Sequence, residues 1–150
     1  MISKRASKFT SFIVMDVMAK AEELERQGEN VIHMEVGEPD FPTPPVIMKA
    51  ARDALSKNKT LYTHALGLLE LRQAICDFYF LEYGVSITPD QVLVSTGTSP
   101  ALLFAMLAIL DPDDEVILSN PRYPCYQNFI LAAGGKTREV RTYPEDGFQY

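Results

Sequence analysis

Val92-Leu93-Val94-Ser95-Thr96-Gly97-Thr98-Ser99-Pro100, continued by the apolar run Ala101 to Leu110, is the stretch whose reading decides the fold. Gln91 to Ser95 reads as a short buried strand, bounded by Pro89-Asp90 before it and Gly97 after it. The run that follows is too long for a strand and rich in Ala, Leu and Met, so it reads as a buried helix. Ser99 is the natural N-cap and Pro100 the favoured first helical residue. A helix that begins this way points free backbone N–H groups at the turn before it, and anions, most often phosphate, bind at such places. A plain strand-to-helix turn with a good cap fits the same residues. This stretch alone does not separate the two.

Downstream, Asp111-Pro112-Asp113-Asp114 reads as a turn, Glu115 to Ser119 as a second strand, and Asn120-Pro121-Arg122-Tyr123 as the lead into a helix from about Pro124 to Ala133. Gly134-Gly135 ends that helix, Thr137 to Arg141 is a third strand, and Pro144 to Gly147 turns toward Phe148-Gln149-Tyr150. The alternation predicts an α/β fold: a parallel-rich sheet with flanking helices and right-handed crossovers. Ligands of such sheets sit beyond the carboxyl ends of the strands, so Thr96–Ser99 and Asn120–Tyr123 would face one crevice. A phosphate at the first loop and a flat ring against Tyr123 at the second make geometric sense, although packing at a helix start also explains a tyrosine there.

Upstream, Ile13, Val17, Ala21 and Leu24 recur at helical spacing in a helix from about Ser11 to Arg26, closed by Gly28. Val31 to Met34 is a strand candidate. Gly37-Glu38-Pro39-Asp40-Phe41-Pro42-Thr43-Pro44-Pro45 carries four prolines in seven residues, which neither a helix nor a central strand tolerates. It must be a stiff extended loop. A linker near residue 45 is one reading; the interleaved acidic and aromatic residues favour a functional loop. Val46–Ser56 is an amphipathic helix, and another runs from after Gly67 to about Tyr83, stopped by Gly84. Tyr62 lies outside any apolar periodicity, which leaves its hydroxyl for a polar partner or for solvent.

The chain has 150 residues, net charge −6 and a pI near 4.9. That is one ordinary domain's length, and without clustered positive charge it does not suit nucleic acid. Cys76 and Cys125 fit neither a metal spacing nor a disulfide framework, and His33 and His64 are isolated, so no metal is expected. Asp16 interrupts the apolar stretch after the basic start, against a signal peptide, and Ala101–Leu110 is about half the ~20 residues a membrane span needs. A reducing, cytoplasmic setting is expected.

In this order the pieces resemble the class I/II aminotransferases, the pyridoxal-phosphate enzymes of fold type I. Gly37-Glu38-Pro39-Asp40-Phe41-Pro42-Thr43-Pro44 is similar to the family's substrate loop almost residue for residue. Tyr62, Gly67 and Leu71-Arg72-Gln73-Ala74-Ile75 resemble its Y…G…LR-x-AI segment, and Thr96 to Leu102 its phosphate-binding turn. Asp114-Glu115-Val116 with Pro121-Arg122-Tyr123 and Tyr126 resembles its DEV…P-x-Y segment. Four such motifs in register cover most of the chain.

The resemblance implies a transaminase moving an amino group from an amino acid to a 2-oxo acid, with pyridoxal 5'-phosphate as cofactor and a homodimer as the complete assembly. By position, Gly97, Thr98 and Ser99 would hold the cofactor phosphate, Tyr123 would stack on its ring, and Gly37 would offer its N–H to the substrate carboxylate. Tyr62 would reach across the dimer to the other subunit's phosphate, and Arg72 would be structural. Residues 1–45 would be an N-terminal arm, helix and substrate loop belonging to the small domain, and 46–150 the first part of the cofactor-binding large domain. Two residues depart from the pattern: Pro100 removes one N–H from the helix start, and Asp113 stands where the family often has glycine.

The larger departure is that no lysine (Lys4, Lys8, Lys20, Lys49, Lys57, Lys59 or Lys136) sits in the context of the family's Schiff-base lysine. No catalytic residue is therefore assigned. A helix start contributes at most ~2 kcal/mol to an anion and an aromatic stack ~1 kcal/mol, against about 8 kcal/mol for micromolar binding. The expectation is an N-terminal portion of an aminotransferase, inactive alone. Alternatives are a lyase or synthase on the same scaffold, or a non-catalytic truncated paralogue serving as a dimerisation module. A transcription regulator lacks a winged-helix stretch here, and a Rossmann-like nucleotide domain lacks G-x-G-x-x-G.

Overall fold

The computed structural model describes residues 1–149. In chain order it contains α1 (Ile13–Arg26), α2 (Pro45–Ser56), α3 (Leu69–Tyr83), α4 (Thr98–Ile109), β1 (Glu115–Asn120), α5 (Tyr126–Ala133) and β2 (Lys136–Arg141), with short 3-10 turns between some of them. Two compact units are present: Met1–Gly37 with Thr98–Tyr150, and Glu38–Gly97.

In the first unit β1 and β2 pair in parallel from Glu115↔Lys136 to Asn120↔Arg141, with α5 as the crossover between them. Parallel neighbours need such a connection, and the α/β expectation holds. The turn into β1 shows what Asp113 does in place of glycine. It adopts φ +73, a conformation that Asp tolerates better than most residues, and its carboxylate meets Lys136 Nζ at 2.8 Å. After α5, Gly135 approaches closely: a Cβ there would lie 3.0 Å from Cγ2 of the fully buried Ile130 and 3.2 Å from Asp114 O.

In the second unit, Pro45 occupies the first turn of α2, where its missing N–H costs nothing. α3 closes on Gly84 at φ +66, whose N–H donates to Phe80 O. Arg72 is buried at 5% exposure, donating from Nη1 to Pro89 O at 2.7 Å and from Nε to Gly67 O at 3.3 Å. Gly67 has φ +98, and a Cβ on it would lie 2.7 Å from Val94 Cβ. The structural role expected of Arg72 is thus a brace between the start of α3 and the turn at Pro89.

Three expectations are corrected. Gln91–Ser95 is not a strand: Gln91 closes a short 3-10 turn, Val92 is extended, and the segment's backbone bonds run from Val92 N–H to Pro89 O and from Val94 N–H to Leu66 O without forming a ladder. Val31–Met34 is likewise irregular. A strand exists only with a neighbour to pair with, and among the described residues the sheet holds β1 and β2 alone. Ser99 is not an N-cap either. The chain turns at Gly97 with φ +111, so α4 starts at Thr98 and Ser99 lies inside its first turn.

Among the described residues no helix is long and apolar enough to cross a membrane, and no cluster of His, Cys, Asp and Glu is placed to hold a metal ion.

Candidate functional site

The start of α4 at Thr98 places Thr98 and Ser99 in its first turn. Among the described residues the N–H groups of Gly97, Thr98 and Ser99 meet no acceptor, as the geometry of a first helical turn requires. Pro100 falls within that same turn, where an N–H would have no partner inside the helix, so its lost donor does not weaken α4. Just before the turn, the Ser95 hydroxyl is buried with no hydrogen-bond partner. A buried orphan of this kind is rare.

Tyr123 and Ser99, 24 positions apart in sequence, come together in the first unit. The Tyr123 hydroxyl lies beside the Cys125 thiol, which together with desolvation raises its pKa, and beside the Ser99 hydroxyl, which opposes that rise. The ring stands edge-on to Phe12 (centroids 5.9 Å, 79°) and to Tyr126 (5.2 Å, 74°). It is nevertheless 40% exposed. The start of α4 therefore presents bare N–H groups and a hydroxyl, with an open aromatic ring at its side.

What fixes the segment before Tyr123 is Arg122. Its guanidinium donates to Glu139 Oε2 and Gln127 Oε1, both at 2.6 Å, tying the end of β1 to β2 and α5. Asn120, joined to Pro121 by a cis peptide bond, donates to the other Glu139 oxygen at 2.7 Å. Arg122 and then Asn120 hold the Glu139 carboxyl below its ordinary range. Both Nη atoms of Arg122 are thus engaged within the chain, while its Nε is buried with no hydrogen-bond partner among the described residues.

Gly37 ends the first unit in an irregular loop, with nothing within 4 Å of where a Cβ would be. Tyr62 belongs to the second unit and is fully exposed. Sequence reasoning missed Phe12, Thr10 and Cys125. Cys125 lies between Tyr123 and Tyr126 of the quoted motif and could have been read as their companion. Phe12 and Thr10 carry no signal of their own, because only folding brings them to residues more than 110 positions away.

Residues 29–150 match the family model "Aminotransferase class I and II". The chain is 47% identical over 91% of its length to a (5-formylfuran-3-yl)methyl phosphate transaminase of Methanocaldococcus jannaschii, and covers 37% of that protein. It is 42% identical over 98% of its length to an aspartate/prephenate aminotransferase of Thermus thermophilus, covering 38% of it. The solved aspartate aminotransferase of Thermus thermophilus with maleate superposes with a TM-score of 0.95 at 41% identity, over all of this chain and 39% of that one. The chain thus spans about two-fifths of the length of these relatives, whose structures are fold type I aminotransferases. With a family match over most of its residues, relatives above 40% identity and a parallel β1–α5–β2 crossover in its first unit, this chain belongs to the class I and II aminotransferases.

Proposed function

We propose that the protein is a pyridoxal-phosphate-dependent aminotransferase, moving an amino group from an amino acid to a 2-oxo acid. The observation that carries this reading is the start of α4, where among the described residues the N–H groups of Thr98 and Ser99 meet no acceptor, with the exposed Tyr123 ring in the same unit. Pyridoxal phosphate presents an anionic phosphate and a flat ring, and the residues suit both. Gly97, Thr98 and Ser99 offer unpaired N–H groups and a hydroxyl to the phosphate, and Tyr123 offers an open aromatic surface to the ring. When bound, the cofactor supplies an electron sink for the substrate Cα.

The chain's own residues bind and orient. Gly37 would give its N–H to the substrate carboxylate, and the absence of anything near its Cα leaves room for that approach. Tyr62, fully exposed, would reach the cofactor phosphate of the partner subunit in a homodimer. Residues 1–45 are assigned to the arm and small domain of the complete protein, and 46–150 to its cofactor domain. No lysine of this chain is assigned the proton transfer, and the 150-residue chain alone is proposed to be inactive. A cytoplasmic setting belongs to the same reading, and both cysteines are unpaired. Relatives named for a furan phosphate, for aspartate and prephenate, and for valine with pyruvate match at 47%, 42% and 38% identity, so these likenesses name no single substrate.

The test is cofactor binding by the full-length protein. Ser99→Ala removes a hydrogen bond to a charged group and should weaken pyridoxal phosphate about ten- to a hundredfold. Tyr123→Ala should cost about two- to tenfold. Unchanged affinity in both would refute the reading. With this chain alone, borohydride treatment in the presence of pyridoxal phosphate should leave every lysine without stoichiometric labelling.

A further inference from the structure

The Tyr123 ring is oriented by residues from the opposite end of the chain. We propose that Phe12 is a positioning residue for Tyr123, and that residues 5–12 form the strap that carries it there. This rests on the reading that Tyr123 packs against the cofactor ring. The edge contact between the two rings is the direct observation, at 5.9 Å and 79°. A contact made by a chain end matters only if that end is anchored, and this one is. The Arg5 guanidinium donates to Ala132 O at 2.8 Å. Thr10 exchanges bonds with the Asn128 side chain, its N–H donating to Oδ1 at 3.3 Å and its carbonyl accepting from Nδ2 at 3.0 Å. Gln127 Nε2 donates to Thr10 Oγ1 at 2.9 Å.

All three anchors lie on α5, the helix that begins three residues after Tyr123, at Tyr126, so the strap is fixed to the element that follows the ring. Ordinary core packing would cover the ring. Here Tyr123 stays 40% exposed after both edge contacts, so Phe12 and Tyr126 restrict the ring while leaving it open to a ligand. A ring already held loses less freedom when a ligand stacks on it, and affinity gains accordingly.

The experiment uses the full-length protein carrying fluorotyrosine, with two readouts: the fluorine NMR resonance of residue 123 and the dissociation constant for pyridoxal phosphate. Phe12→Leu keeps apolar bulk and loses the aromatic edge. It should shift the Tyr123 resonance in the cofactor-free protein and weaken the cofactor about two- to tenfold, the range an edge-to-face pair spans. Phe12→Tyr keeps the edge and should retain wild-type affinity. Unchanged resonance and affinity in Phe12→Leu, or equal losses in both variants, would overturn the role of Phe12. Tyr123→Leu separates the two ideas: if it leaves affinity unchanged, the stacking reading itself fails and the role of Phe12 with it. If Tyr123→Leu weakens binding and Phe12→Leu does not, the strap alone is wrong.

Discussion

His33 stands between two carboxylates, with Nδ1 2.6 Å from Glu35 Oε1 and Nε2 3.1 Å from Glu25 Oε1. Glu25 lies near the end of α1, so the imidazolium fastens the irregular Val31–Glu35 segment back to that helix. Glu35 and then Glu25 raise the pKa of His33, and His33 lowers that of Glu35. The signs set a window. The His33 contribution is complete below the unfolded imidazole pKa and is lost as pH rises through the raised folded value. The Glu35 contribution is present above the unfolded carboxyl pKa and is lost as pH falls through the lowered one. The clamp should therefore be closed between these two limits and open beyond either. NMR titration should place the His33 imidazole above its ordinary value, with amide exchange at residues 31–35 accelerating as it deprotonates. In His33→Gln that acceleration should disappear. An unshifted imidazole would refute the clamp. In sequence His33 is an isolated histidine without a ligand partner, because a pairing across eight residues of a turn has no local pattern to show it.

At the scale of elements, the helices and both paired strands were legible, while two further segments of strand composition did not become strands, and the difference is physical. α1, α2, α3 and α5 end or begin where Arg26, Pro45, Gly84 and Gly134 place them, since a helix is stabilised by neighbours in sequence and stopped by single residues. Val92–Ser95 and Val31–Met34 have strand composition, yet a strand is a relation between segments, and no segment pairs with them here. The sequence pattern puts the start of α4 two residues late, at Pro100 and not Thr98, because Gly97 reads as the end of a strand, whereas its φ of +111 makes it the turn that leads into the helix. Gly97→Ala forces a side chain into that region and should cost about 1–3 kcal/mol. A Cβ there would meet no atom within 4 Å, so the cost would be conformational and not steric. Chemical denaturation should show the loss, with faster amide exchange in the first turn of α4. Wild-type stability would mean that the turn is not held in its left-handed conformation.

At the scale of the whole molecule, the apolar side chains point to partners. Among the described residues each unit has two buried hydrophobic side chains: Ala21 and Ile130 in the first, Cys76 and Val92 in the second. Against these, the first unit exposes Phe104 (52%), Leu107 and Ile109 on α4 and Ile117 on β1, and the second exposes Phe78, Phe80 and Leu81 on α3. α4 is apolar on every side, the pattern of a helix meant to be surrounded, and β1 and β2 each have an edge with unpaired backbone groups. Burying one such side chain fully contributes about 1.5–3 kcal/mol, so association that covers even a few of them outweighs a typical weak encounter. The 150-residue chain in isolation should consequently self-associate as its concentration rises and bind a hydrophobic dye strongly. Sedimentation velocity provides the check. The exposed charges oppose association through a net charge of −6, and salt that screens them should strengthen it. A chain that stays monomeric across concentration and salt, with no dye binding, would mean that these faces are not open in solution, and the argument from exposed α4 and α3 would fall.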